Sequence, residues 1–203
     1  MVLPAGLAER SEVVEVRDLG VGERGRGEVL GQTLRFERSA TRLAFFDELA
    51  VTDRATVRFS LEGGAAGRSD AECGMRRRTA TIGVVGFVAK PLFFACDFAP
   101  LGAALVLQEG QGGVRTLQVA RQGTLRFGGR ELTLLSMHEA EGAMVALPQP
   151  IGYVVEEGGR AVAAVEVNGP TPTLHLPRGD AALRTASLHA LLALALLWEP
   201  SAD

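Results

Sequence analysis

Residues 180–199 read DAALRTASLHALLALALLWE, and the reading of this stretch decides the fold. It contains no Gly or Pro, and its dominant residues, Ala and Leu, are among the strongest helix formers. Asp180 follows Gly179 and suits the N-cap, where a carboxylate accepts a backbone N–H that the first turn leaves unpaired. A helix over 180–198 is expected. From Ala190 to Trp198 every position is apolar, so the second half of this helix has no face for water. Such a helix is either buried on all sides or placed in a membrane. About 18 residues reach roughly 27 Å, and Arg184, Ser187 and His189 occupy the first half, which makes a poor span. No other apolar run approaches the roughly 18 to 20 residues that a transmembrane span needs. The simplest solution is a helix enclosed by the rest of the chain, with Leu188, Leu192 and Leu196 among its structural positions. A helix that plugs one end of a barrel, or one buried at a dimer interface, is the alternative.

The enclosure has to come from upstream, where the period is two. Val57, Phe59 and Leu61 alternate with Thr56, Arg58 and Ser60, which marks a strand with one buried and one wet face. The same alternation recurs at Leu34/Phe36, Leu125/Phe127, Leu132/Leu134, Ile151/Tyr153/Val155, Val165/Val167 and Leu174/Leu176. Leu92, Phe94, Cys96 and Phe98 form another apolar face. Segments 13–17, 41–46, 71–76, 80–88, 102–108 and 114–120 bring the total to about a dozen strands. Gly is 25 of 203 residues, and pairs such as Gly63-Gly64, Gly128-Gly129 and Gly158-Gly159 fall between strands, as tight reversals require. There is no alternation of strand and helix. The expected class is mainly β: an antiparallel barrel or closed sandwich of about twelve strands with one buried apolar C-terminal helix. One domain over 13–203 follows a loosely ordered segment 1–12, and 18–28, with four glycines among charges, also reads as loose.

A strand series ending at Thr173-Leu174-His175-Leu176, followed by the helix 180–198, resembles the tubby C-terminal-like superfamily, which includes the LURP-one-related and scramblase-like proteins. The resemblance is architectural, covers most of the chain and rests on no diagnostic motif. It implies about twelve strands wrapped round a central helix. The basic residues with which that family binds phosphoinositides have no positional match here, and none is carried over.

Composition narrows the function. The net charge of −3 argues against nucleic acid, since phosphate contacts call for a basic surface. Aromatics are 5%, with one Tyr (Tyr153) and one Trp (Trp198), too few for base-stacking platforms. On strand parity Cys73 and Cys96 both point inward, as a buried disulfide or as reduced core residues. A simple meander would put strand 80–88 between them, so a bridge requires 77–91 to loop out or pair elsewhere. The run Arg76-Arg77-Arg78, near Arg68, is the densest positive feature. Arg76 and Arg78 share an outward face, either as an anion site for a phosphate, lipid headgroup or acidic partner, or as a solvated strand end that discourages edge pairing. Asp70 and Glu72 stand close enough to offset part of that charge.

The three histidines suggest no metal site: neither HExxH nor a helical His/carboxylate pair occurs. His175 reads as exposed, and His189 as a neutral imidazole hydrogen-bonded to backbone on the apolar helix. His138, beside Glu139 and Glu141, would need ligands from elsewhere. No serine has the GxSxG setting, no catalytic residue stands out, and no cofactor is implied. The expected function is a non-catalytic binding or structural module, with the bacterial cell envelope and the cytoplasm both open as compartments. The alternatives are a binder of anionic lipid or another anionic partner through Arg68, Arg76 and Arg78, and an enzyme with a dispersed site.

Overall fold

The computed structural model describes residues 1–20, 22–45, 50–64, 67–82, 85–110, 119–197 and 199. A short helix α1 (Leu7–Arg10) leads into strand β1 (Ser11–Glu15). There follow β2 (Arg24–Val29), β3 (Gln32–Phe45), β4 (Ala50–Gly64), β5 (Gly67–Ile82), β6 (Val85–Phe98) and a 3-10 turn (Ala99–Leu101). Then come β7 (Ala103–Glu109), β8 (Arg121–Phe127), β9 (Arg130–Met137), β10 (Gly152–Glu157), β11 (Arg160–Glu166), β12 (Thr173–Pro177) and the helix α2 (Ala181–Leu196). All twelve strands form one antiparallel sheet in the order β1-β12-β11-β10-β9-β8-β7-β6-β5-β4-β3-β2. Its two extreme strands meet at one bridge, where Arg17 and Glu28 exchange both backbone hydrogen bonds at 2.9 Å. The result is a nearly closed barrel, the mainly β fold that the alternation leads one to expect.

The apolar helix lies against that sheet. It contacts β10, β11 and β12 and also β5 and β6, far away in the strand order, so it meets walls on different sides of the barrel. Residues 186–194 are all buried, with Leu192 and Leu196 at 0% exposure and Leu188 at 5%. Asp180 caps the helix, its carboxylate accepting the Leu183 N–H at 2.9 Å. The helix ends at Leu196, and Trp198 lies outside the described residues.

Several strands differ from the sequence reading. β3 runs unbroken from Gln32 to Phe45 and joins two expected strands. Segment 80–88 is no strand of its own: 80–82 ends β5 and 85–88 begins β6, in one long hairpin whose residues 83–84 lie outside the description. Nothing therefore intervenes between the cysteines. Cys73 and Cys96 are direct cross-strand partners with Cα atoms 4.0 Å apart and sulfurs at the disulfide distance of 2.10 Å. The expected strand 114–120 falls mostly outside the described residues. The glycine-rich stretch 18–28 yields β2, because two of its glycines serve close packing: a Cβ on Gly25 would lie 2.5 Å from the Phe36 ring, and one on Gly27 2.7 Å from the Arg17 carbonyl.

Of residues 1–12, read as loose, 11 and 12 begin β1 and the α1 segment before them packs on the outside of the barrel. Leu7 packs with Val154, Ala161 and Ala164 on the outer face of β10 and β11, and Leu3, Leu135 and Met137 flank them. This explains why β10 and β11 carry continuous apolar runs: both of their faces are covered. His175, expected to be exposed, is buried on β12, against which α1 packs, and its Nε2 lies 3.0 Å from Glu166 Oε1.

Candidate cation face and inner cluster

The register of β3 to β6 sets their outward side chains in rungs across the barrel wall. One charged rung alternates in sign, Arg24–Glu37–Arg58–Glu72, and ends on Asp97. Arg24 donates to Glu37 at 2.6 Å and Arg58 to Glu72 at 2.7 Å. The hydrogen bond and charge of Glu72 raise the Arg58 guanidinium above its ordinary pKa. A surface hollow of about 740 Å³ lies over this region, lined by four arginines and four carboxylates that leave no net charge. Arg68 belongs here. It donates to Asp70 at 2.8 Å and faces Glu62, and that bonding to Asp70 raises its pKa as well.

One rung further along, the wall is neutral: Ser39, Thr56, Gly74 and Ala95 are partners, and the two hydroxyl oxygens lie 2.8 Å apart. Beyond it the charge changes character. Thr41–Arg54–Arg76–Phe93 form one rung and Leu43–Thr52–Arg78–Lys90 the next. Arg54, Arg76, Arg78 and Lys90 are exposed and make no ion pair among the described residues. The Arg76 guanidinium rests 5.2 Å from the centre of the Phe93 ring. Arg54 stands opposite Arg76, and Arg78 opposite Lys90. Like charges directly across a ladder are destabilising, so folding does not account for them.

The sequence reading puts Arg76 and Arg78 on one outward face, and the structure agrees. It separates them from Arg68, eight residues or roughly 26 Å away along the strand. It adds Arg54 and Lys90, which only the register brings into place. Two bulges in the β5–β6 pairing, around Arg78, put Lys90 opposite it. No spacing in the sequence announces that.

Arg77 points the other way, into the end of the barrel where α2 finishes. There a cavity of about 490 Å³ is lined by Arg77, Arg121, Tyr153 and Glu199 together with Pro150, Val167, Leu194 and Leu197. Arg77 donates to Asp53 at 3.0 Å and to Glu199 at 3.2 Å. Arg121, with its side chain 3% exposed, donates through Nη1 to the Tyr153 phenol oxygen at 2.9 Å. Its Nη2 lies 2.7 Å from Glu199 Oε1 in an ion pair, and its Nε has no hydrogen-bond partner among the described residues. Burial works to lower the pKa of Arg121, but its neighbours Tyr153 and Glu199 outweigh it and leave the guanidinium protonated. Burial pushes the Tyr153 phenol up, so it stays neutral. Sequence reasoning missed this cluster, although one signal was present: Asp53, Arg77 and Arg121 are charges on the inward parity of their strands.

The histidines have ordinary partners. Ser136 Oγ accepts the Arg121 N–H at 2.8 Å and lies 2.9 Å from His138 Nε2, while His138 Nδ1 lies 2.9 Å from the Leu147 carbonyl. His138 thus meets a serine and a backbone oxygen, not the carboxylates a dispersed acid–base site would need. On α2, His189 donates through Nδ1 to the Thr185 carbonyl at 2.9 Å, and its Nε2 accepts from Ser69 Oγ at 2.7 Å. Its pKa is lowered by burial, with the Thr185 bond opposing, which matches the neutral imidazole expected from the sequence. Among the described residues no group of three His, Cys, Asp or Glu is placed to hold a metal ion, and no helix is long and apolar enough to cross a membrane. In comparison with known proteins, no family model, no curated protein and no solved structure matches this chain.

Proposed function

We propose that the protein is a non-catalytic binding module that docks on an anionic lipid surface through Arg54, Arg76, Arg78 and Lys90. The observation that carries this reading is the like-charge pairing of those four cations on adjoining rungs, without an ion pair among the described residues, whereas Arg24, Arg58 and Arg68 further along the wall are each paired with a carboxylate. An anionic surface would supply the missing countercharge. Apolar groups accompany the cations: Leu43 in the same rung is 45% exposed, and the loop after β9, at the same end of the barrel, exposes Met144 and Val145 almost fully. Cations flanked by exposed apolar side chains are what interfacial lipid binding uses. Membership of the tubby C-terminal-like superfamily is part of the proposal, supported by twelve strands around a buried C-terminal helix.

Co-sedimentation with phosphatidylcholine vesicles, with and without phosphatidylserine, tests it. Binding is expected only with phosphatidylserine and should weaken as salt rises. At about 1 kcal/mol per basic residue near such a surface, Arg76→Ala with Arg78→Ala should cost about 30-fold in affinity. Equal binding to neutral vesicles, or an unchanged affinity in the double variant, would overturn the reading.

A further inference from the structure

The inner cluster supports a second, separate site. The barrel wall brings two guanidiniums, Arg77 and Arg121, to the cavity at the end of α2, and among the described residues the one wall carboxylate that pairs with either is Asp53, which serves Arg77 and also faces Arg42. A buried guanidinium without a countercharge is costly. The wall therefore lacks one negative charge, and the position nearest Arg121 is filled from elsewhere: Glu199, beyond the end of α2, lays its carboxylate between the two arginines. Two donors remain free beside it among the described residues. They are Arg121 Nε and the hydrogen of the Tyr153 phenol, whose oxygen already accepts from Arg121. The rest of the lining is Gln149 and the apolar residues Pro150, Val167, Leu194, Ala195 and Leu197.

We propose that this cavity binds a small carboxylate with an apolar body, and that Glu199 is an internal stand-in which that ligand displaces. The carboxylate of the ligand takes the place of the Glu199 carboxylate between Arg77 and Arg121 and gains the Tyr153 hydroxyl as a further donor. Its apolar part covers the leucines at the end of α2. A single missing charge and two planar forks match a monocarboxylate better than a phosphate.

The experiment is calorimetric titration of the full chain and its Glu199→Gln variant with butyrate and with inorganic phosphate. Removing a tethered competitor, whose effective concentration is in the millimolar range for a short linker, should tighten butyrate binding by at least about tenfold. Tyr153→Phe in the Glu199→Gln background should weaken it again, with the fold retained. Should Glu199→Gln be too unstable to titrate, butyrate must raise its melting temperature towards that of the unaltered chain, and phosphate must not. Equal butyrate affinity with and without Glu199, no rise in melting temperature, or phosphate binding as tight as butyrate would each overturn the proposal.

Discussion

The two ends of α2 are held by the same residue types in different arrangements. At the N-terminal end one arginine serves two acids, since Arg130 pairs with Glu157 at 2.8 Å and with Asp180 at 2.6 Å. At the C-terminal end one acid, Glu199, lies between two arginines, Arg77 and Arg121, and Arg77 holds Asp53 as well. Both arrangements agree with the helix dipole, which favours anions at the start of a helix and cations at its finish. What separates them is water. Arg130, Glu157 and Asp180 have side chains 33%, 38% and 42% exposed, whereas those of Glu199 and Arg77 are 26% and 22% exposed and those of Arg121 and Asp53 are each 3% exposed. The first end is a cap, where charge can be lost cheaply. The second confines charge that has to be matched.

The greatest effect should come from the element that both ends share. Leu192→Asp places an unpaired carboxylate in the middle of the enclosed helix, at a cost of several kcal/mol against a total stability of roughly 5 to 15. Circular dichroism should show an unfolded chain, and a native-like soluble variant would mean that the helix does not organise the barrel. Next in size is the contrast between the arginines. Arg77→Met leaves the Asp53 carboxylate buried, with only Arg42 at 3.8 Å, and should cost about 3 kcal/mol in urea unfolding. Arg130→Met removes two half-exposed ion pairs and a stacking contact on Phe127 and should cost about 1 kcal/mol. Equal losses would erase the distinction between cap and confined charge.

The smallest effect concerns pH. Because burial holds the His189 pKa below its ordinary 6.5 in the folded chain, the unfolded chain takes up a proton that the folded one refuses. Stability should therefore be fully present above about pH 6.5 and fall as the pH drops below it, by at most about 1.4 kcal/mol per pH unit from this group. His189→Asn should flatten the decline between about pH 7 and 5.5, above the range where most carboxylates titrate. A slope that persists unchanged would assign it elsewhere.

The sequence discloses the barrel and the helix because both follow from local pattern. Alternation at Val57, Phe59 and Leu61 defines an inner face, and a helix apolar all round from Ala190 must be enclosed. It misleads at 80–88, where an apolar run conceals the reversal that places Cys73 opposite Cys96. It also misleads at 18–28, where glycines that permit close approach look like loop glycines. The cation face was half legible, since parity gives Arg76 and Arg78, but Arg54 and Lys90 enter through cross-strand register that no single strand encodes. The inner cluster was legible in principle, by asking why Arg77 and Arg121 share parity with buried neighbours. Their partner Glu199 was not, because a residue beyond the end of a helix carries no periodic signal.

The place of α2 in the chain has a consequence for how the protein is made. All twelve strands leave the ribosome before the helix their inner faces pack against, and Ser11 must wait for Pro177 before the first strand has a partner. Neighbouring hairpins can form early, but their apolar inner faces have nothing to close upon until β12 and α2 appear. Nearly all tertiary structure is thus deferred until α2 has been made, and a chain stalled near residue 180 would be an unfilled sheet, open to self-association and to chaperones.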